Sequence, residues 1–233
     1  MQISTIPREW LYPESLASAS KLQLELAQKV ITTDQLPSNL RYIAGMDVSS
    51  NWRDPKQIIY ATCVVLDTKT LQIVTSASAH MQQKFPYIPG FLGFREAPAL
   101  VEAFAQLSLK PDLILVDGHG ISHPRKLGIA SHIGVLLDIP TIGVAKSILI
   151  GKPAGILDSA AGATTPLLWQ EQTIAMLLRS KNRCNPLIIA TGHKIALATA
   201  VKLVKNYLRG YRLPEPTRQA HLAANIYRRE THD

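Results

Sequence analysis

The run Leu113-Ile114-Leu115-Val116 carries no polar residue and ends abruptly in Asp117-Gly118. Successive side chains of a strand point to opposite faces, so a strand that is apolar on both must be covered on both. Cover of that kind comes from helices, and the flanking sequence supplies them. Ala97, Leu100, Val101, Phe104 and Leu107 recur at a helical period before the run. A helix over 124–137 and a short strand over 141–144 follow it, with the spacing of a crossover unit. Upstream, residues 41–49, 57–66 and 71–79 read as strands, the last two joined by the turn-like Asp67-Thr68-Lys69-Thr70, which spells an antiparallel meander.

Beyond the crossover, 153–165 is rich in Ala, Gly and Thr and reads as a surface loop; 173–178 and 187–190 read as further strands. Leu197, Val201, Val204 and Leu208 mark a helix stopped by Gly210, and a last helix is expected over 216–230. Residues 13–30 read as an amphipathic helix ahead of the core. The expectation is an α/β fold, a mixed sheet flanked by helices. With 233 residues, 46% of them hydrophobic, there is material for one sizeable core, so residues 1–233 are expected to form a single domain.

No apolar run approaches the roughly 18 residues of a membrane span, and the first residues lack a signal-peptide core. Cys63 and Cys184 are too few and too far apart for a disulfide framework, so the cytoplasm is the expected compartment. The net charge of +8 is unevenly spread: residues 181–233 hold 10 Lys and Arg against 3 acids, a net of +7. A positive segment of that density suits a polyphosphate partner, and equally suits a solvated helix face.

In mixed sheets ligands collect at the carboxyl ends of strands, where Asp47 and Asp117 both stand. Asp47 shares a parity with Ile43 and Gly45, where an acid is out of place, although a turn-forming Asp at a frayed strand end meets the same pattern. Glu96 falls in the first turn of a helix beginning near Phe94, a place favoured for acids by the helix dipole alone. With His221 these residues make an oxygen-rich set suited to Mg²⁺ or Mn²⁺ rather than zinc. The segment Phe85-Pro86-Tyr87-Ile88-Pro89-Gly90-Phe91-Leu92-Gly93-Phe94, broken by two prolines and two glycines, is expected to be a stiff, partly exposed loop. Its aromatic is either a core plug or a wedge for a base stack.

The blocks AGMDVS at 44–49, FPYIPGFLGFRE at 85–96, DLILVDGHGISHPRKLGIASHIG at 112–134, IPTIGVAKS at 139–147, GHKIAL at 192–197 and RGYRLPEPTRQAH at 209–221 together resemble the endonuclease V family. The resemblance implies a ribonuclease-H-like fold and a DNA repair endonuclease that depends on Mg²⁺, with Mn²⁺ as substitute. Its expected reaction is hydrolysis at the second phosphodiester 3′ to deoxyinosine. The family's metal carboxylates fall on Asp47 and Asp117, with Glu96 and His221 completing the catalytic group and Lys146 near the scissile phosphate. The DNA wedge falls on Tyr87, Ile88 and Pro89, and the pocket for everted hypoxanthine on Leu92, Gly118, Ile129 and Gly143. The expected partner is DNA containing deoxyinosine, or inosine-containing RNA, bound by a monomer. Three rivals are an inosine-specific ribonuclease of the same fold, a non-catalytic nucleic-acid binder, and a metal-dependent small-molecule hydrolase, which would leave the basic segment and the Tyr87 loop without a role.

Overall fold

The computed structural model describes residues 5–51 and 54–231. One sheet of nine strands runs through it, in the order β3-β2-β1-β4-β5-β9-β8-β7-β6. The meander β1 (Tyr42–Ser50), β2 (Ile58–Asp67) and β3 (Ile73–Gln82) is antiparallel. β4 (Leu113–Val116) then lies parallel to β1 on its other side, and β5 (Thr141–Ala145) parallel to β4. β9 (Leu187–His193) joins β5 antiparallel, followed outward by β8 (Gln172–Leu178), β7 (Thr164–Trp169) and the two-residue β6 (Lys152–Pro153).

Helices cover both faces, as the apolar β4 demands. Ala44, Met46, Ile114 and Val116 pack under α2 (Leu92–Ala105) and α3 (Ile129–Leu137). Ile43, Leu113, Leu115 and Val144 pack against α4 (Leu197–Asn206) and α5 (Glu215–Thr231) through Ala200, Val204 and Ala220. The amphipathic N-terminal segment is helical over α1 (Leu16–Ala27), where Ser15 and Ser18 form a capping box. It packs beside Phe85 and Phe94.

Three sequence expectations need correction. The helix expected from residue 124 begins only at Ile129, because Pro124, a positive φ of 55° at Lys126 and backbone bonds from Gly128 and Ala130 to Gly120 and His119 keep 119–128 in a loop. The expected loop over 153–165 gives way at Thr164 to β7, whose hairpin with β8 turns on Gln170 and Glu171 at φ 48° and 63°. Such turns ordinarily use Gly or Asn, so the hairpin carries no turn signal. Finally α2 starts at Leu92, within the segment expected to stay a loop through Phe94, which moves Glu96 out of the first turn and leaves the helix dipole as a poor reason for an acid there.

Candidate active site

Register decides which side chains meet. Met46 of β1 is the partner of Val116 of β4, and the Asp117 N–H donates to the Met46 carbonyl at 3.0 Å. The carboxylates of Asp47 and Asp117 therefore emerge side by side where this parallel pairing stops. Asp47 is not at the strand end expected for it, since β1 continues to Ser50; the end that matters is that of the β1–β4 ladder.

A third group arrives from the far end of the chain. Gly45, two residues before Asp47 on the same face, lies so close to α5 that a Cβ there would sit 1.9 Å from the Pro216 carbonyl oxygen. That close approach, open only to glycine, lowers α5 onto β1 and sets His221 against Asp47, Nδ1 to Oδ2 at 2.7 Å. An ionised carboxylate only accepts, so Nδ1 carries the proton and Nε2 faces the Asn225 amide at 3.2 Å. Asn225 is in turn held by the Ser49 hydroxyl at 2.9 Å. Asn225 escaped the sequence reading; its one signal is its place a helical turn after His221.

Ligand atoms of Asp47, Asp117 and His221 lie within 4.8 Å of one another, the sole such group of three among the described residues. Two carboxylate oxygens in that space fit a hard divalent cation, with the His221 ring, its Nδ1 proton directed at Asp47, held alongside. A positive charge is already drawn there: the Lys146 ammonium donates to Asp117 Oδ2. Electrostatics point the same way. Burial, and next the Asp117 charge, push the Asp47 carboxyl up to about 6, against the lowering effects of Lys146 and His221. Glu96 stands outside the 4.8 Å group but senses it: burial and then the charges of Asp47 and Asp117 push its carboxyl up to about 8. The raised carboxyls of Asp47 and Glu96, both opposed by burial and by neighbouring negative charge, mark a site short of positive charge.

Beside this centre lies a cavity of about 250 Å³, lined by Tyr87, Leu92, Gly118, His119, Ile129 and Ser147 among others. Ile88 and Pro89 also border it. Gly118, at φ +151°, has its α-carbon so near Ile129 that a Cβ would come within 2.3 Å of that side chain. Gly143 is not in the lining: it packs behind the wall, against the backbone of Gly118–Gly120. Burial holds His119 and His123 down at about 4, so the cavity presents neutral imidazoles at neutral pH. Tyr87 is 71% exposed at its rim, with the Arg95 guanidinium 5.5 Å from its ring, so the core-plug alternative fails. Phe85 and Phe94 fill the core beneath.

The stiffness of this rim has a specific source. The Gly90 carbonyl accepts from Gln23 Nε2 at 2.9 Å, from Arg125 at 2.9 Å and lies 3.0 Å from His123 Nε2. None of this clamp was visible in the sequence, because its members are spread from α1 to the 119–128 loop. The basic segment holds two kinds of cation. Lys202, Lys205 and Arg209 are exposed, whereas Arg218 is committed to a two-pronged pair with Glu215 at 2.7 and 2.8 Å and stacks over Tyr211.

A ribonuclease-H-like sheet ending in clustered acids, with a cavity alongside and a basic segment behind, defines a nuclease class. Residues 24–222 match the family described as Endonuclease V. The curated Endonuclease V of Protochlamydia amoebophila (strain UWE25) is 54% identical over 222 residues, covering 95% of this chain and 94% of that one. Among solved structures, the Endonuclease V of Streptomyces avermitilis superposes with a TM-score of 0.89 at 34% identity, covering 98% of both chains. The Ciona intestinalis Endonuclease V, solved with a 24mer DNA containing an inosine followed by a ribo-adenosine, superposes at 0.79 with 26% identity, covering 93% of this chain and 98% of that one. The chain belongs to the Endonuclease V family of nucleases. Among the described residues no helix is long and apolar enough to cross a membrane.

Proposed function

We propose that this chain is a DNA repair endonuclease, acting as one nuclease domain and as a monomer, that hydrolyses the second phosphodiester 3′ to deoxyinosine. The observation that carries the reading is the convergence of Asp47, Asp117 and His221 within 4.8 Å, next to a cavity of about 250 Å³. Asp47 and Asp117, with Glu96 close by, would hold Mg²⁺, or Mn²⁺ in its place; the ion polarises the phosphate and neutralises charge gathering on its oxygens. Water supplies the oxygen that bonds to phosphorus. The P–O3′ bond breaks, and the 3′ oxygen leaves as a hydroxyl, with a 5′-phosphate on the other product.

The chain's own groups have distinct tasks. His221, oriented by Asp47 and Asn225, holds the attacking water or takes its proton; Glu96, with its raised affinity for a proton, is the second candidate. Lys146, whose ammonium donates to Asp117, supplies a positive charge for the scissile phosphate beside that carboxylate. The cavity admits a flipped base between Leu92, Gly118 and Ile129, and Tyr87, with Ile88 and Pro89, wedges into the gap left behind. Hypoxanthine offers a carbonyl and a ring N–H where adenine offers an amino group and an acceptor, so backbone groups of the cavity wall suffice to tell them apart.

The test is nicking of matched oligonucleotides carrying deoxyinosine, inosine in RNA, or neither, with and without Mg²⁺. Mg²⁺-dependent cuts at the second linkage of the deoxyinosine strand are expected. Cleavage of the RNA alone would make the chain an inosine ribonuclease. Binding without cleavage under any metal would make it a non-catalytic binder.

A further inference from the structure

Lys146 sits in a turn with little to hold it. Residues 146–149, just past β5, are all exposed, so no buried apolar side chain fixes their backbone. Yet Lys146 reaches Asp117 on one side, and Ser147 lines the cavity. An exposed turn that must place a charge needs a polar anchor.

Arg212 is that anchor. It lies between α4 and α5, three residues before α5 begins, in the block RGYRLPEPTRQAH. Its guanidinium donates to three backbone carbonyls of two other segments: Lys146 at 2.8 Å, Asn185 at 3.1 Å and Pro186 at 3.3 Å. Ala145 and Ile188 are partners in the β5–β9 ladder, so Arg212 caps the end of that ladder. Only a planar fork with several donors meets three carbonyls at once. The same short linker leads into the helix bearing His221. One side chain therefore ties the Lys146 turn to the base of α5.

We infer that Arg212 is a positioning residue for phosphodiester cleavage: it acts through Lys146, fixing that ammonium relative to Asp117 and His221, and makes no phosphate contact of its own. The inference rests on the assignment of Lys146 to the scissile phosphate proposed above. It also removes Arg212 from the charges that hold nucleic acid.

The experiment is a double-mutant cycle of Arg212→Gln and Lys146→Ala, read by single-turnover cleavage of a deoxyinosine duplex at saturating protein and by affinity for the same duplex across a salt series. Arg212→Gln is expected to slow cleavage about tenfold, a scale set by small displacements of catalytic groups, with affinity and salt slope unchanged. In the Lys146→Ala background the same change should cost less than about twofold, because the two act as one unit. Arg212→Lys, retaining charge but not the fork, should recover only part of the rate. Equal losses in both backgrounds would overturn the proposal and make Arg212 a structural brace. A salt slope reduced by about 1 would make it a phosphate contact instead, and full cleavage in Arg212→Gln would also overturn it. If Arg212→Gln fails to fold, Arg212→Lys carries the cycle. If Lys146→Ala alone cleaves normally, it is the reading of Lys146 that fails.

Discussion

The acidic centre and the loops around it are held by opposite means. Asp47 and Asp117 project from paired strands in the middle of a nine-stranded sheet, so their separation is a property of the β1–β4 register and the core on both faces. Tyr87 and Lys146 project from exposed segments, and their backbones are located by hydrogen bonds to single carbonyls: Gly90 for one, Lys146 itself for the other. The centre is rigid and electrostatically uncomfortable; the rim is comfortable and easily unpinned. Substitution at the centre should thus change chemistry without changing the fold, whereas substitution in the rim's clamps should change selectivity or positioning.

The sharpest break of this contrast is at the centre. Asp47→Asn or Asp117→Asn is expected to reduce Mg²⁺-dependent cleavage by about 10²-fold or more, the scale on which loss of a charge-stabilising group is felt, with circular dichroism unaltered. Near-normal turnover of either folded variant across a Mg²⁺ titration would remove the two-carboxylate site. His221→Ala should likewise slow cleavage about 10²-fold while preserving affinity; loss of affinity alone would make the histidine a phosphate contact.

At the rim, Tyr87→Ala should lower discrimination between deoxyinosine and ordinary strands several-fold, and shift stability by less than about 0.5 kcal/mol because the ring is exposed. Arg125→Ala should lower discrimination too, but with about 1–2 kcal/mol of stability lost, since it also leaves Gln23 and the Gly90 carbonyl short of a partner. Denaturant titration beside competitive cleavage separates the two. Identical stability in both variants would mean that the Gly90 clamp holds nothing.

Stability against pH gives a smaller effect. Glu96 titrates near 8 when folded and near its ordinary value of 4.5 when unfolded, so between pH 6.5 and 8 the folded state alone still carries this proton. The unfolded state binds fewer protons, and stability falls as pH rises. Buried His119, His123 and His132, held down to about 4, act in the opposite direction while the unfolded chain, with ordinary values of 6.5, still binds their protons, an effect that fades only above about pH 7.5. Melting temperature should decline from about pH 7.5 to 8.5 in the native chain and stay flatter in Glu96→Gln or with Mg²⁺ added. An equal decline in all three would detach Glu96 from the centre.

The smallest effect separates free from committed cations. Lys205→Ala should lower the salt slope of duplex binding by about 1. Arg218→Ala should leave the slope alone and cost stability instead, because its charge is paired with Glu215. Equal slopes in native and Lys205→Ala protein would reduce the exposed basic face to a solvated surface.

The sequence alone determined the local choices. An apolar β4 required two helical layers, the period of Ala97 to Leu107 and of Leu197 to Leu208 required helices, and the ordered blocks pointed to the family. The strand and the helices depend on neighbours within a few residues, where propensity and periodicity act, and the family blocks on their order along the chain. Tertiary structure decided what depends on distant partners. His221 meets Asp47 across 174 residues because Gly45 admits α5. Asn225, the Gly90 clamp and Arg212 became visible only through their hydrogen bonds, and Gly143 moved behind the cavity wall that it was expected to line. The β7–β8 hairpin stayed hidden for a related reason: pairing across the sheet holds Gln170 and Glu171 at positive φ, a conformation their own side chains do not favour. Local sequence selects elements, but which donor finds which acceptor is set by how those elements pack.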